Sequence, residues 1–294
     1  MHVNSQGRIM LRYIFIILIF STAYAEDFKF AVIADCQYCD QPDRGARMYK
    51  SSLGRLKLCI DELNKHDIAF TVHLGDLIDK DFKSFKPVLN ILKKSKSPVY
   101  HALGNHDFSV KDELKAEVPK TLNMPGKYYS FKVKKWRFIV IDGNDISFYA
   151  YPKNSAYTKL AEKYYKENKV KSPKWNGAVG PKQLEWLKQQ LTDADKNNES
   201  VALFCHFPVF PKDPHNLWND SEVLKLLSQH KSVKAYINGH NHKGNYDSKD
   251  GIHYLTAKGM VQFKTPTYAI ISVTSSNLSI KGFGAEEDRK LKLK

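Results

Sequence analysis

The chain has 294 residues, of which 42% are hydrophobic and 12% aromatic, so it can bury a substantial core in one large domain or two small ones. This composition excludes an intrinsically disordered chain. Lysine and arginine total 46 against 31 acidic residues, and the resulting formal charge of +15 favours anionic partners. Charge alone does not choose among phosphorylated metabolites, nucleic acid and anionic lipid.

The N-terminal segment has the pattern of a secretory signal peptide. Arg8 and Arg12 precede an apolar run at residues 13–20, and Ala23-Tyr24-Ala25 supplies the small residues that a signal peptidase reads. The run is much shorter than the roughly 20 apolar residues that span a bilayer, which disfavours a membrane anchor. We therefore predict that residues 1–25 are cleaved and that the protein is secreted or periplasmic.

The rest of the chain, residues 26–294, is predicted to be one domain without membrane contact, because no later segment is long and apolar enough to span a bilayer. Four cysteines are too few for a disulfide framework in a chain of this length. We interpret them mainly as small buried residues, while a disulfide between Cys36 and Cys39 stays open.

Strand and helix patterns alternate along the first third of this domain. Short apolar runs are followed by segments with apolar residues at helical spacing, such as Leu56, Ile60 and Leu63. This alternation predicts β-α-β units with a partly parallel sheet. The predicted strands cover residues 28–34, 68–74 and 98–103, and the predicted helices cover residues 47–64 and 82–92.

The middle of the chain carries a hairpin pattern followed by an irregular excursion. Residues 128–133 and 136–142 alternate or run apolar around Lys134-Lys135, which predicts two antiparallel strands. Residues 147–180 are rich in Tyr, Lys, Asn and Pro, with a helix pattern only at residues 157–168. We interpret this stretch as an insertion near a functional site.

Helix and strand patterns alternate again in the C-terminal third. Pro181 opens an amphipathic helix that continues to Leu191, in keeping with the preference of proline for the first turn. Further elements follow without an internal repeat or a low-complexity linker. The predicted strands cover residues 201–205, 233–238, 252–256, 268–273 and 278–281, a helix covers residues 222–227, and a charged end follows at residues 286–294.

Polar side chains of the kinds that bind metals follow five of the predicted strands. Each motif is weak evidence alone, but the carboxyl ends of strands in an α/β sheet converge on one crevice. Five such ends in one chain therefore indicate a functional site. The motifs are Asp35-Cys-Gln37, Gly75-Asp76, Gly104-Asn105-His106, Cys205-His206 and Gly239-His240-Asn-His242.

These side chains suit a pair of divalent cations. Two cations about 3.5 to 4 Å apart repel each other and need several anionic or dipolar ligands, one of them a bridging carboxylate. Asp76 is the predicted bridge, and the glycines before the ligands allow a sharp turn out of each strand. The predicted ligands are Asp35, Gln37 and His242 for the first metal, and Asn105, His206 and His240 for the second, with Gly75, Gly104 and Gly239 at the turns.

The motifs resemble those of the calcineurin-like metallophosphoesterases over residues 28–284. The resemblance rests on Asp-x-Gln, Gly-Asp-x-x-Asp, Gly-Asn-His-Asp, a histidine after an apolar strand, and Gly-His-x-His. It implies an α/β fold in which two central mixed sheets form a four-layer α-β-β-α sandwich, with the dimetal site at the edge between the sheets. It also implies that the seven ligands above bind metal and that His106 is the catalytic acid, which protonates the leaving phosphate or stabilises charge on the transferred one.

Gln37 stands where most of that superfamily has histidine, and an Asp-x-Gln first motif resembles the manganese-dependent ADP-ribose/CDP-alcohol diphosphatase branch. This resemblance implies hydrolysis of the pyrophosphate bond in nucleoside diphosphate-linked sugars or alcohols, which gives two phosphomonoesters. Four further segments are similar to that branch: Arg47-x-Tyr49-Lys-x-Ser52-Leu53, Gly180-x-x-Gln183-Leu-x-Trp186-Leu, His206-x-Pro208-x-x-Pro211 and Leu217-Trp-Asn219.

Gln37 also predicts which metals bind. A neutral amide oxygen is a harder and weaker ligand than imidazole, so the first site favours Mn²⁺ or Mg²⁺ over Zn²⁺ or iron. We expect two divalent metal ions as cofactors, with Mn²⁺ as the activating metal and Mg²⁺, iron and Zn²⁺ as the alternatives.

The predicted partner is a small nucleotide substrate. Tyr38 and Trp218 are the candidate substrate-binding residues, because their neighbours match the family around the crevice and an aromatic ring can stack on a nucleobase. A nucleic-acid partner is disfavoured, because the lysines are spread along the chain without a basic stripe or a known binding motif. The oligomeric state is left open.

Three other functions share the expected fold. Purple acid phosphatases place a tyrosine where this chain has Asp79, so that function is disfavoured. Hydrolases of other phosphodiesters or phosphomonoesters, such as cyclic-nucleotide phosphodiesterases, are the second candidate, although they usually have histidine at the position of Gln37. A non-catalytic scaffold is disfavoured because all seven ligand positions and His106 are filled.

Overall fold

Two β-sheets that pack face to face form the centre of the molecule. In the computed structural model, which describes residues 27–293, twelve strands divide equally between the two sheets. The predicted signal peptide lies outside the described residues. The strands are β1 (Phe28–Ile33), β2 (Phe70–His73), β3 (Val99–His101), β4 (Tyr129–Val133), β5 (Trp136–Val140), β6 (Ser200–Cys205), β7 (Val233–Asn238), β8 (Asn245–Lys249), β9 (Ile252–Thr256), β10 (Tyr268–Val273), β11 (Asn277–Phe283) and β12 (Arg289–Lys292).

The first sheet has the strand order β12-β11-β10-β1-β2-β3. Strands β1, β2 and β3 are parallel, with Phe30 opposite Phe70 and Thr71 opposite Val99. Strand β10 lies antiparallel to β1, and β11 and β12 continue the antiparallel half. The parallel half therefore directs the carboxyl ends of three strands to one edge of the sheet.

The second sheet has the strand order β4-β5-β6-β7-β9-β8. Strands β5, β6, β7 and β9 are parallel, whereas β4 and β8 are antiparallel strands at the two edges. The predicted hairpin is confirmed, because Val133 of β4 pairs with Trp136 of β5. Both sheets are therefore mixed, as the resemblance implies.

Helices form where apolar residues recur at helical spacing and where a residue can open the first turn. The hydroxyl of Ser155 accepts a hydrogen bond from the backbone amide of Thr158 and caps one helix, and Pro181 opens another. The α-helices are α1 (Tyr49–Leu63), α2 (Phe85–Leu92), α3 (Val118–Thr121), α4 (Ala156–Glu167), α5 (Pro181–Lys196) and α6 (Asp220–Ser228), and 3₁₀ turns cover residues 82–84, 106–108, 112–117 and 260–262.

Aromatic residues fill the space between the two sheets. Phe30 and Phe70 of the first sheet stack with ring centroids 5.0 Å apart, and Phe138 and Phe204 of the second sheet stack at 5.7 Å. The ring of Phe70 also meets that of Phe138 edge-on at 4.7 Å, so the aromatic contacts cross from one sheet to the other. This inner core holds the two sheets together.

The helices cover the outer faces of the sheets. Leu56 and Ile60 of α1 pack with Ile33 of β1 on the first sheet, together with apolar residues of α2. On the second sheet, Leu187 of α5 packs with Leu203 of β6, and α6 joins the same cluster. The four-layer α-β-β-α sandwich implied by the resemblance is confirmed.

Two strands are not predicted from the sequence. Strand β8 has the sequence NYDSK, and β12 has the sequence RKLK within the charged end of the chain. Both lie at the edge of a sheet, where one side of the backbone has no partner strand and polar side chains face solvent. Their strand conformation comes from pairing with β9 and β11 rather than from an apolar pattern.

All four cysteines are free and buried, as the interpretation of them as small buried residues predicts. The disulfide between Cys36 and Cys39 that the sequence left open is absent, and burial raises the pKa of the Cys36 thiol to about 11. Within residues 27–293, no helix combines the length and apolar character needed to cross a membrane.

Candidate metal centre and active-site cleft

The polar motifs of both sheets meet at one edge of the sandwich. Asp35 follows β1, Asp76 follows β2, and Asn105 follows β3, while His206 and His240 follow β6 and β7 of the other sheet. The parallel direction of these strands brings their carboxyl ends together, as expected for an α/β crevice. The structure thus assembles the predicted ligands from five strand ends.

Asp76 lies at the centre of two groups of ligand atoms. One group combines Asp76 with His206 and His240, and the other combines it with Asp35 and His242. In each group the ligand atoms lie within 4.8 Å of one another, and every member is buried. Because Asp76 belongs to both groups, it occupies the position of a carboxylate that bridges two cations.

Four of the predicted ligands have left-handed backbone conformations. The φ angles are 51° at Asp35, 44° at Gln37, 57° at Asp76 and 72° at His240. Residues with a side chain adopt such angles at a cost of about 1–3 kcal/mol each, and they cluster at functional sites. The fold therefore tolerates backbone strain at these four residues, whose side chains converge on one region.

The three glycines that precede predicted ligands make room for them in different ways. Gly75 has a φ of +90°, so it provides the turn freedom that the sequence predicts. Gly104 has no such φ, but a Cβ atom there would lie 2.1 Å from Asp76 Oδ1. At Gly239, which also lacks a positive φ, a Cβ atom would lie 2.6 Å from Asp35 Oδ2. The turn explanation is therefore wrong for Gly104 and Gly239, whose missing side chains instead leave space for the carboxylates of Asp76 and Asp35.

The orientation of His206 is set by a backbone carbonyl. Its Nδ1 donates to the oxygen of Leu74 at 2.8 Å. Nε2 then faces Asn105 Oδ1 at 3.2 Å and Asp76 Oδ2 at 3.3 Å. Nε2, the ring nitrogen that the backbone does not use, therefore points into the second group of ligands, an orientation that suits metal binding.

The site keeps its carboxylate charged and one of its histidines neutral. Burial opposes ionisation of Asp76, but the nearby imidazoles of His206 and His106 outweigh burial and lower the pKa of this carboxyl well below its usual range. Burial, followed by repulsion from His206, lowers the pKa of His240 well below its ordinary value. A charged carboxylate and a neutral imidazole are the forms that bind metals.

Gln37 offers an oxygen that nothing else uses. Its Nε2 donates to Asp76 Oδ2 at 2.8 Å, while Oε1 is buried and has no hydrogen-bond partner among residues 27–293. A buried oxygen without a partner is costly unless a ligand satisfies it. Carboxylate, imidazole and amide donors around one bridging carboxylate therefore fit a pair of divalent cations.

His106 lies beside the ligands with a carboxylate behind it. Its Nδ1 lies 2.9 Å from Asp79 Oδ1, and its backbone amide donates to Asp76 Oδ1 at 2.7 Å. Burial disfavours the imidazolium, but Asp76 and Asp79 outweigh burial and raise the pKa of His106 above its ordinary value. The residue predicted to be the acid thus has a partner that favours its protonated form.

Asp107, the last residue of the Gly-Asn-His-Asp motif, is a site residue that is not among the predicted ligands or acids. Its carboxylate is fully buried and accepts hydrogen bonds from the backbone amides of Asp76, Leu77, Ile78 and Gly104 at 2.8–3.3 Å. It thereby ties the loop after β2 to the loop after β3. Its place in the Gly-Asn-His-Asp motif is the sequence feature that could have indicated this role.

A cleft of about 620 Å³ opens over the ligands, a volume typical of small-molecule sites. Arg47 and Lys243 supply positive charge to its wall. Trp175 lines the cleft with a 40% exposed side chain, and its ring centroid lies 5.0 Å from that of His215, which also lines the cleft. The sequence patterns alone single out neither Trp175 nor His215 as a residue of the cleft.

The two predicted substrate-binding residues lie away from this cleft. Tyr38 is half-buried and packs against the core on the helix-covered face of the first sheet. Trp218 packs among Phe148, Tyr164 and Tyr165, and its Nε1 donates to the oxygen of Pro173 at 3.0 Å. Neither residue is among those that line the cleft over the ligands.

The sequence of this domain matches the model of a known protein family. The model of the calcineurin-like phosphoesterases matches residues 28–244, which include every predicted ligand. The chain belongs to the calcineurin-like phosphoesterase family. The protein is therefore a metal-dependent hydrolase, and the side chains grouped around Asp76 at the strand ends are the candidates for its dimetal centre.

Two relatives of this phosphoesterase have the same name. It is 31% identical to the manganese-dependent ADP-ribose/CDP-alcohol diphosphatase of Arabidopsis thaliana, over 87% of this chain and 94% of the relative. It is 32% identical to the protein of the same name from Xenopus tropicalis, over 90% of this chain and 94% of the relative. The similarity therefore spans nearly the whole of both relatives.

The fold of the phosphoesterase matches solved structures. A dimetal phosphatase from Danio rerio superposes with a TM-score of 0.81 at 24% identity, covering 91% of this chain and 99% of the other. GAP50, described as the anchor in the inner membrane complex of Plasmodium, superposes with a TM-score of 0.61 at 16% identity, covering 91% and 89%. These likenesses support the four-layer sandwich.

Proposed function

We propose that this phosphoesterase hydrolyses the pyrophosphate bond of nucleoside diphosphate-linked sugars or alcohols to two phosphomonoesters, with ADP-ribose and CDP-alcohols as the leading substrates. The observation that carries the proposal is the shared name of relatives that align over nearly their full length. That name also supports Mn²⁺ as the activating metal, in agreement with the amide ligand at Gln37.

The cleft supports a substrate that combines phosphates with an aromatic base. The positive side chains of Arg47 and Lys243 suit the two phosphates, because charge-assisted hydrogen bonds to phosphate are strong. The exposed ring of Trp175 offers a surface on which a nucleobase can stack. A simple phosphomonoester would leave the aromatic part of the cleft unused.

The ligands and the acid have separate tasks in this reaction. Asp76 would contact both metals, and the remaining ligands would divide between them as Asp35, Gln37 and His242 on one side and Asn105, His206 and His240 on the other. When bound, the metals supply Lewis-acid polarisation of a phosphoryl oxygen and activate the attacking water. The protein keeps their ligands oriented and in the correct protonation state.

His106 is the general acid that protonates the leaving phosphate. Since Nδ1 faces Asp79, Nε2 is the ring atom from which His106 delivers a proton to the oxygen of the leaving phosphate. Because the pKa of His106 is raised, the ring stays protonated before the proton is transferred to the leaving group. Asp79, which replaces the tyrosine expected of a purple acid phosphatase, thus has a role of its own.

The test is a substrate panel. The purified enzyme is assayed for release of phosphomonoesters from ADP-ribose, CDP-glycerol, CDP-choline, cyclic AMP and p-nitrophenyl phosphate, with Mn²⁺, Mg²⁺, Zn²⁺ or a chelator. We expect Mn²⁺-dependent cleavage of the three diphosphates and loss of all activity in Asp76→Asn. Preference for cyclic AMP or for the simple ester would overturn the diphosphatase proposal and support the second candidate function.

Residues 1–25 support a further proposal, that the enzyme acts outside the cytoplasm as a secreted or periplasmic protein. The full chain is expressed in a secretion-competent host, and the N-terminus of the exported protein is read by mass spectrometry. A mature chain that begins at residue 26 is the expected result. Retention of the full-length protein inside the cell would contradict the proposal.

A further inference from the structure

Asn176 is buried against one of the metal ligands, in the excursion between β5 and α5. Its side chain is fully buried, and its Oδ1 lies 2.9 Å from Nε2 of His240. Its Nδ2 donates to the backbone oxygen of Pro214 at 2.7 Å. The amide therefore connects a ligand of the second metal to the loop that contributes His215 to the cleft.

The orientation of this amide follows from its partners. The oxygen of Pro214 can only accept a hydrogen bond, so the NH₂ group of Asn176 must face it. The carbonyl Oδ1, which also can only accept, must then face His240. A hydrogen bond between Oδ1 and the imidazole exists only if His240 carries its hydrogen on Nε2.

We propose that Asn176 is a positioning residue that holds His240 in the Nε2–H tautomer and so leaves Nδ1 as the nitrogen available to the second metal. The partner of the non-ligating nitrogen sets both the tautomer and the ring orientation of a metal-binding histidine. The inference rests on the dimetal centre of the proposed function, but it does not depend on the substrate.

A second histidine of the same centre also has one ring nitrogen bonded to an oxygen, which leaves the other nitrogen for the metal. The carbonyl of Leu74 accepts from Nδ1 of His206, which leaves Nε2 to face Asp76. His206 and His240 thus present opposite ring nitrogens, each selected by an oxygen on the far side of the ring. For His206 the oxygen comes from the backbone, whereas for His240 it comes from a side chain that mutation can remove.

The first experiment uses the metal-free protein with ¹⁵N-labelled histidine. The ring signals of His240 are assigned by their loss in His240→Gln, and their shifts report which nitrogen carries the hydrogen. We expect a single Nε2–H tautomer in the wild type and a mixture of both tautomers in Asn176→Ala. In Asn176→Asp an acceptor oxygen remains, so Nε2 is expected to stay protonated.

The second experiment measures Mn²⁺ binding by electron paramagnetic resonance, without substrate. Loss of an outer partner of a ligating histidine typically weakens metal binding about 10–100-fold, and this loss is expected in Asn176→Ala. Asn216→Ala is the matched control. Asn216 is equally buried, and its Nδ2 donates to the carbonyls of Val209 and Pro211 and to Asp220 Oδ2, whereas Asn176 bonds to His240. Removal of the Asn216 amide should therefore lower thermal stability and leave Mn²⁺ affinity unchanged.

Three outcomes would overturn the proposal. The first is a wild-type His240 with its hydrogen on Nδ1, which needs no variant to be observed. The second is an unchanged tautomer or an unchanged Mn²⁺ affinity in Asn176→Ala. The third is an equal loss of affinity in Asn176→Ala and Asn216→Ala, which would indicate general loosening of the fold. A negative substrate panel would affect the proposed function and leave these measurements intact.

Discussion

Gln37 is the candidate ligand whose amide oxygen distinguishes the first predicted metal site from the second. Its Oε1 is buried and has no partner among the described residues, whereas its Nε2 is occupied by Asp76. The side chains grouped with Asp76 in that half of the candidate centre are Asp35 and His242. Replacing the amide by imidazole would change the softness of one ligand and leave the others in place.

Gln37→His is therefore expected to shift the metal preference from Mn²⁺ towards Zn²⁺. Imidazole is a softer and stronger ligand than an amide oxygen, so the ratio of Zn²⁺-supported to Mn²⁺-supported activity should rise about tenfold. The measurement is the initial rate on ADP-ribose after reconstitution with each metal alone, with Gln183→His as a control for an added histidine outside the centre. An unchanged ratio would show that the amide does not select the metal.

The sequence and the structure point to different tryptophans as the one that stacks on the nucleobase. Trp175 lines the cleft with an exposed ring, whereas Trp218 packs against α4. Stacking of a base on an aromatic ring contributes about 1–3 kcal/mol, so Trp175→Ala is expected to raise KM for ADP-ribose roughly fivefold or more. Trp218→Ala should mainly lower Tm, because it removes a packed side chain. A larger rise in KM for Trp218→Ala would support the sequence-based choice instead.

At the scale of the elements, Glu199 joins three strands of the second sheet. It lies directly before β6, and its carboxylate accepts from Lys132 of β4 and from Nε of Arg137 of β5, the latter at 2.7 Å. Burial opposes its ionisation, but Arg137 and Lys132 outweigh burial and lower the pKa of Glu199 below its ordinary value of 4.5. The ion pairs therefore stabilise the folded state.

Glu199→Gln is expected to lower the free energy of unfolding at pH 7 by about 1–3 kcal/mol, because charge-assisted hydrogen bonds to two cations are weakened. The folded-state pKa is depressed, so the carboxylate contributes fully above the unfolded pKa of about 4.5 and loses its contribution as pH falls through the lower folded pKa. Urea titrations at pH 7 and below pH 4 should show the difference shrinking.

Glu62→Gln provides the matched control for that experiment. Glu62 pairs with Lys65 on the exposed surface of α1, and such pairs contribute little to stability. Its unfolding curve should overlay that of the wild type at both pH values. A Glu199→Gln variant that is equally stable, or whose deficit grows as pH falls, would contradict the assigned role of the ion pairs.

At the scale of the whole molecule, the metal centre joins the two sheets at their shared edge. Asp35 and Asp76 come from the first sheet, and His206, His240 and His242 come from the second. Two fully buried carboxylates and several left-handed residues are costly in the absence of cations. Metal binding should therefore stabilise the sandwich as a whole.

We expect Mn²⁺ to raise Tm by several degrees over the chelator-treated protein. A ligand at 100 times its Kd adds about 2.7 kcal/mol to the stability of the folded state. Differential scanning calorimetry with graded Mn²⁺ checks this, and Asp76→Asn should show a much smaller shift because it removes the ligand shared by both groups. Equal melting of the chelated and Mn²⁺-loaded protein would contradict the role of the centre in stability.

The buried strands and the polar side chains that follow them can be predicted from the sequence because both depend on short-range patterns. Buried strands such as β1 and β6 have continuous apolar runs, and each run ends in a polar ligand that follows within a few residues. The edge strands β8 and β12 were missed because their conformation depends on pairing with a neighbour.

The sequence by itself determined the alternation of strands and helices, the order of the core elements and the set of side chains that follow the strand ends, because local periodicity and spacing encode them. The four-layer sandwich followed from the resemblance of the motifs to a known family. Only the tertiary structure decided that Trp175 lines the cleft while Trp218 does not, and that Asn176 faces His240. All three residues lie outside the strands that carry the ligands. In such irregular segments the sequence has no periodicity from which the facing of a side chain can be predicted. Their positions follow from how those segments pack on the finished sandwich.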